Sequence, residues 1–177
     1  NSAQMQTGTG GAAILSIPAH QHEILSCDFS KYDANLIATG SCDTSVKLWD
    51  LRKIQKPLTV LSGHKYAVRR IKFSPHHPSM IMSVSYDMSA MIWDFMATPN
   101  PLLARYDQHT EFVVGCSFNL FIENLIATCS WDEKCCVFVN QYNALKQNAM
   151  QMPLQSAMQP QMQTPQSNVM NAPNTTK

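Results

Sequence analysis

A chain of 177 residues with a formal net charge of +1 is long enough to bury a core, and it lacks the basic excess that draws a protein onto nucleic acid. Its six cysteines include no Cys-x-x-Cys pair and accompany no secretory pattern, which favours reduced thiols over a disulfide framework or a zinc centre. The opening residues 1–20 have no basic segment and no long apolar run, so they read as neither a signal peptide nor a membrane span.

Residues 1–12 read as linker or disordered chain. From residue 13 the pattern becomes β. "AILSI" (13–17) is a short apolar run, followed by "EILSCDF" (23–29), "NLIATGS" (35–41) and "SVKLWD" (45–50). The same order then repeats. "PLTVL", "AVRRIKF", "SMIMSVS" and "SAMIWD" occupy 57–94, and "LLARY", "FVVGCSF", "NLIATCS" and "KCCVFV" occupy 102–139. Short runs rich in β-branched and aromatic residues, separated by polar turns, predict meandering antiparallel strands. From Asn140 onward the chain is rich in Gln, Met, Pro and Asn and nearly free of charge; such a segment buries too little to offset chain entropy and is expected to be disordered.

The repeat is anchored on polar residues. His20, His64 and His109 recur at intervals of 44 and 45, and each is followed at fixed offsets by a serine (Ser41, Ser85, Ser130) and an aspartate (Asp43, Asp87, Asp132). Trp49, Trp93 and, in the third copy, Phe138 close the series. Ser, His and Asp together invite a catalytic reading, but a catalytic set is single, and three copies at one spacing describe architecture. No catalytic residue, metal ion or cofactor is therefore expected. Trp131-Asp132 in "SWDEKCCVF" is the turn pair of the third copy, and Cys135 and Cys136 fall on opposite faces of the next strand, where they pack instead of chelating. His76 and His77 in "SPHHPS" read as a solvated loop.

Four strands per 44 residues, "GH" at 63–64, "WD" at 49–50 and 93–94, and the Ser-x-Asp turns resemble the WD-repeat family. The resemblance implies an all-β fold of four-stranded propeller blades over 13–139, in repeats of about 13–50, 57–94 and 102–139, followed by a disordered tail at 140–177. It also implies that His20, Ser41, Asp43 and Trp49, and His64, Ser85, Asp87 and Trp93, form hydrogen-bonded tetrads, with His109, Ser130 and Asp132 as an incomplete third. Three blades do not close a ring of about seven, and the chain starts without Met, so a C-terminal fragment is expected.

Several stretches are more specific than the repeat requires. "IPAHQHEILSCDFSKYDANLIATG", "DLRKIQKPL", "GHKYAVRRIKFSPHHPSM", "SYDMSAMIWDF" and "HTEFVVGCSF" together are similar to the last three blades of the receptors for the type-2 peroxisomal targeting signal. That resemblance implies a non-enzymatic import receptor moving between cytosol and peroxisome. Its implied partners are the targeting-signal peptide of matrix proteins (Arg-Leu-x5-His-Leu in outline), a co-receptor (the long type-1 receptor or a fungal-type equivalent) and peroxisomal docking proteins, with no nucleic acid and no membrane insertion. In propellers the ligand face carries the residues three and five past each histidine and the one before each turn aspartate. Among these, Glu23, Leu25, Arg69, Tyr86, Phe112 and Trp131 are the expected signal-binding residues, with Glu23 meeting the signal's arginine and the aromatics its apolar face. A histone-binding or generic WD-repeat scaffold is the alternative.

Overall fold

The computed structural model describes residues 13–140, which hold eleven strands and no helix. They are β1 Ile24–Phe29, β2 Leu36–Ser41, β3 Ser45–Asp50, β4 Thr59–Ser62, β5 Val68–Phe73, β6 Met80–Ser85, β7 Ala90–Asp94, β8 Leu102–Tyr106, β9 Val113–Phe118, β10 Leu125–Ser130 and β11 Cys135–Val139. Consecutive strands pair in antiparallel order into three sheets, β1-β2-β3-β4, β5-β6-β7-β8 and β9-β10-β11. This is the expected all-β arrangement of WD-repeat propeller blades. Register repeats with the sequence: Ile37 opposes Trp49, Ile81 opposes Trp93, and Ile126 opposes Phe138.

Each sheet stacks on the next through alternate side chains of its strands. Leu36, Leu48 and Leu61 of the first sheet bury against Val68, Ile71 and Phe73 of the second. Met80, Met82 and Ile92 of the second bury against Ile126, Phe118 and Phe138 of the third. Each fully buried aliphatic side chain contributes about 1.5–3 kcal/mol of transfer free energy, so these two seams hold the sheets in order. The inner strands β1, β5 and β9 lie side by side. At the first seam Ser26 Oγ accepts the Ile71 N–H at 3.2 Å and Asp28 Oδ2 accepts the Phe73 N–H at 2.9 Å, which satisfies backbone donors on the unpaired edge of β5. Gly40 lets the second sheet approach closely: a Cβ there would stand 2.8 Å from Val68 Cγ1.

Four expectations change. "AILSI" at 13–17 is not a strand, because no other strand among the described residues lies beside it to complete a ladder. His76 and His77 are half-buried, not solvated: His76 Nε2 meets the Asn119 carbonyl oxygen at 2.9 Å, and His77 Nε2 stands 3.0 Å from Glu123 Oε1. They latch the 74–79 turn of the second sheet to the 119–124 turn of the third, as Tyr32 latches the first to the second by donating its O–H to the Pro75 carbonyl at 2.7 Å. Cys136 is half-buried on the side of Phe138, but Cys135 is exposed on the opposite side. The expected linker at 1–12 and the tail beyond 140 lie outside the described residues. Asn140 itself, grouped by composition with the tail, is buried; it donates its N–H to Asn124 O at 2.7 Å and its side-chain oxygen accepts the Tyr106 O–H at 2.8 Å.

Candidate functional site

The polar residues of the repeat build the end of each sheet where β2 turns into β3, β6 into β7, and β10 into β11. In the second sheet Trp93 Nε1–H donates to Ser83 Oγ at 2.8 Å, and Ser83 Oγ lies 2.7 Å from His64 Nε2. His64 Nδ1 reaches Asp87 Oδ2 at 3.0 Å. A carboxylate only accepts and an indole N–H only donates, so in the neutral ring the bonds run in one direction: indole to hydroxyl, hydroxyl to imidazole, imidazole to carboxylate. The first sheet repeats the chain through Trp49, Thr39, His20 and Asp43, with contacts of 3.0, 2.7 and 2.8 Å. In the third, Thr128, His109 and Asp132 make contacts of 2.9 and 2.9 Å, and Phe138 supplies no donor.

The hydroxyl that joins histidine to tryptophan is therefore Thr39 or Ser83, with Thr128 bonding His109 from the same place in the third sheet, and Ser41, Ser85 and Ser130 do not take that place. Both sets lie on one face of their strand, two residues apart, but the later serine stands at the mouth of the turn. There Ser41 Oγ accepts the Asp43 N–H at 3.1 Å and donates to the His22 carbonyl at 3.3 Å. Ser85 and Ser130 make the same pair of bonds to Asp87 with Tyr66, and to Asp132 with Glu111.

The Asp-His-Ser contacts resemble a catalytic triad in distance alone. Ser83 is fully buried and its oxygen already holds an indole proton, so it presents no nucleophile to an outside substrate.

Burial pushes the Asp43 carboxyl up, yet the bonds from Ser45 and His20 outweigh that and hold it at about 2. Asp132 is likewise raised by burial and brought down to about 2 by His109 and the Thr110 and Lys134 N–H groups. Asp87, raised by burial, is held lower still by His64, Ser89 and the Lys65 N–H. Each aspartate also shapes the turn behind it. Asp43 Oδ1 accepts from Ser45 N at 3.0 Å and Ser45 Oγ at 2.6 Å, and the intervening Thr44 is forced to a φ of 70°. Met88 and Glu133 stand in the same conformation at 66° and 65°.

These turns aim the residue before each aspartate outward, and one backbone bond fixes it against the preceding loop. Cys42 N donates to Glu23 O at 2.9 Å, Tyr86 N to Ala67 O at 3.1 Å, and Trp131 N to Phe112 O at 3.1 Å. The residues five past each histidine sit on bulges, since the registers shift between Ile24 and Ser26, between Val68 and Arg70, and between Cys129 and Ser130 opposite Val113 and Gly115. A bulge re-aims its side chain; Leu25 and Arg69 are both half-exposed there.

Of the expected site residues, the structure brings Tyr86, Phe112 and Trp131 into one cluster. Ring centroids lie 4.8 Å apart for Tyr86 and Phe112, 5.1 Å for Phe112 and Trp131, and 6.2 Å for Tyr86 and Trp131. The cluster crosses from the second sheet to the third, and Trp131 leaves 62% of its surface open. Glu23 is exposed on the first sheet, beside Cys42, whose thiol is pushed up by burial and then by the nearby Glu23 and Asp43 charges. Glu23 and Arg69 make no ion pair with each other among the described residues. Sequence reasoning passed over Glu111 and Glu133, exposed neighbours in the chain of Phe112 and Asp132, which put two carboxylates on the aromatic sheet itself; Lys65 and Lys134 stand at the same end. Tyr66, also missed, is 61% exposed there. The residue two past each histidine marks that row, because its carbonyl accepts the turn serine.

Two WD40 repeats are found in the chain: residues 11–50 and 55–94 match the WD domain, G-beta repeat. The third sheet, with Phe-Val where the others have Trp-Asp, lies outside those matches. A stretch of 34 residues is 44% identical to the peroxisomal targeting signal 2 receptor of Saccharomyces cerevisiae, covering 19% of this chain and 9% of that protein.

Proposed function

We infer that this chain is a recognition module for a short amphipathic targeting peptide, of the type-2 peroxisomal signal class, and that it belongs to an import receptor working between the cytosol and the peroxisomal membrane with a co-receptor and docking proteins. The observation that carries the reading is the open Tyr86–Phe112–Trp131 cluster with Glu111 and Glu133 beside it. A helical signal with leucines on one side and a basic flank needs an apolar platform edged by carboxylate, and aromatic clusters are where binding energy concentrates. The identity with the yeast receptor supports the same class. Glu23, one sheet away, extends the acidic edge toward the signal's arginine.

Titration of the 177-residue chain with a fluorescent peptide carrying Arg-Leu-x5-His-Leu tests this. Saturable binding is expected, with a loss of at least about tenfold for Trp131→Ala and for a peptide whose arginine is replaced by glutamate. Equal affinity for the native and charge-reversed peptides would remove the signal-receptor reading. Preference for an unrelated basic histone-tail peptide would favour the scaffold alternative.

A further inference from the structure

The sheets meet at two seams, both within the described residues, so the innermost edges of the seams can be compared position by position. At the first seam the free N–H groups of β5, on Ile71 and Phe73, are taken by Ser26 and Asp28 of β1. The second seam repeats the backbone. Ile71 opposes Ser83 and Phe73 opposes Ile81, as Cys116 opposes Thr128 and Phe118 opposes Ile126. The N–H groups of Cys116 and Phe118 therefore leave β9 on the same free edge. In the places of Ser26 and Asp28, however, stand Arg70 and Lys72, which carry donors and no acceptor. Among the described residues neither β9 N–H finds the side-chain acceptor that its counterpart on β5 has.

Donors thus converge where the first seam sets donor against acceptor. Arg70, Lys72, Gly115, Cys116 and Ser117 share the walls of one hollow beside β9. Burial pushes the Cys116 thiol up to about 12, against the pull of the nearby Arg70 and Lys72 charges. Lys72 Nζ lies 3.9 Å from Asp28 Oδ1, but that carboxylate already accepts Lys31 Nζ at 3.1 Å and the Phe73 N–H at 2.9 Å. Arg70 is exposed and has no ion pair among the described residues.

We propose that a phosphate-type oxyanion supplies the missing acceptor, bound by the Arg70 guanidinium and the Cys116 N–H, with Lys72 as the second cation. A guanidinium presents parallel N–H donors that match the oxygens of a phosphate. The Cys116 N–H adds a donor already fixed by its ladder, so little conformational freedom is lost on binding. The Phe118 N–H stands about 6.8 Å further along the strand, too far for the same anion to meet both squarely. Innermost strands of propeller blades face the central channel, so this site is separate from the aromatic cluster at the turn end of the sheets.

The test follows the amide resonances of the isotope-labelled 177-residue chain while inorganic phosphate replaces chloride at constant ionic strength and pH. The Cys116 amide is expected to move along a saturable curve. Ile71 and Phe73, whose N–H groups are already taken, stay in place and serve as the internal control. Arg70→Ser installs the residue of the first seam, and the affinity read at Cys116 falls at least about tenfold. Acetate at the same ionic strength is expected to move Cys116 less than phosphate does. A Cys116 amide that does not move, that moves no more than Ile71, or that responds equally in Arg70→Ser overturns the site. Acetate acting as strongly as phosphate overturns the choice of phosphate. If circular dichroism shows Arg70→Ser unfolded, Arg70→Gln takes its place under the same criteria.

Discussion

Replacing Thr39 with valine keeps the shape of the side chain and deletes the hydroxyl that joins Trp49 to His20. Both partners are buried, with Trp49 4% exposed and the His20 side chain fully covered. The change orphans an indole donor held at 3.0 Å and an imidazole acceptor held at 2.7 Å. A buried group left without its partner costs about 1–3 kcal/mol, so two together cost about 2–6 kcal/mol. Thr128→Val is the internal control. Phe138 offers no donor, so only His109 loses a bond, and the cost is about 1–3 kcal/mol, half that of Thr39→Val. Urea unfolding at fixed protein concentration measures the difference. Proton exchange at the indole nitrogens locates it: Thr39→Val accelerates exchange at Trp49 and leaves Trp93, served by Ser83, unchanged. Equal losses for the two threonine variants would refute the reasoning, as would Ser41→Ala exposing the Trp49 indole as much as Thr39→Val.

The acid limb of stability follows from the turn aspartates. Asp43 and Asp132 titrate at about 2 in the folded chain against an ordinary 3.8, and Asp87 lower, so the folded state holds protons less tightly than the unfolded one. Their contribution is whole above the ordinary value and lost as pH falls through the folded ones. The urea midpoint should be level near neutrality and drop between about pH 4 and pH 2, and Asp87→Asn should flatten that drop. Thr44→Gly relieves a β-branched residue at φ 70° and should raise stability by about 0.5–1 kcal/mol in the same assay. Gly40→Ala forces a methyl to 2.8 Å from the stiff, buried Val68, and the seam should lose about 1–3 kcal/mol.

All eleven strands were legible from alternation and repeat, because a strand half-buried in a stack must write its period into the sequence. The exception, 13–17, shows the limit: an apolar run is necessary for a strand, but pairing makes it one. Thr39 and Ser41 were confused because both are hydroxyls on one face. Only the register, which puts Thr39 opposite Lys47 and Ser41 at the turn, tells them apart. The outward residues were legible by offset, since bulge and turn hold constant places after each histidine. That Tyr86 would meet Phe112 and Trp131 was not legible, because the contact depends on how one sheet leans on the next. The latch of His76 and His77 onto the neighbouring turn was hidden for the same reason.

The copies within this one chain separate what the fold needs from what it leaves free. His20, His64 and His109 are identical, as are Asp43, Asp87 and Asp132, and each uses its side-chain atoms in two or more hydrogen bonds. Beside them stand Cys42, Tyr86 and Trp131, and facing these Glu23, Ala67 and Phe112, which differ in every copy. Their shared duty is the bond from N–H to carbonyl that ties turn to loop, and any residue but proline can donate that bond. Side chains relieved of structural work, set on turns that the aspartates make rigid, can change without cost to the blade. Side chains can therefore differ from blade to blade at these six positions, and in the second and third blades three of them gather into the Tyr86–Phe112–Trp131 cluster on which the proposed recognition rests.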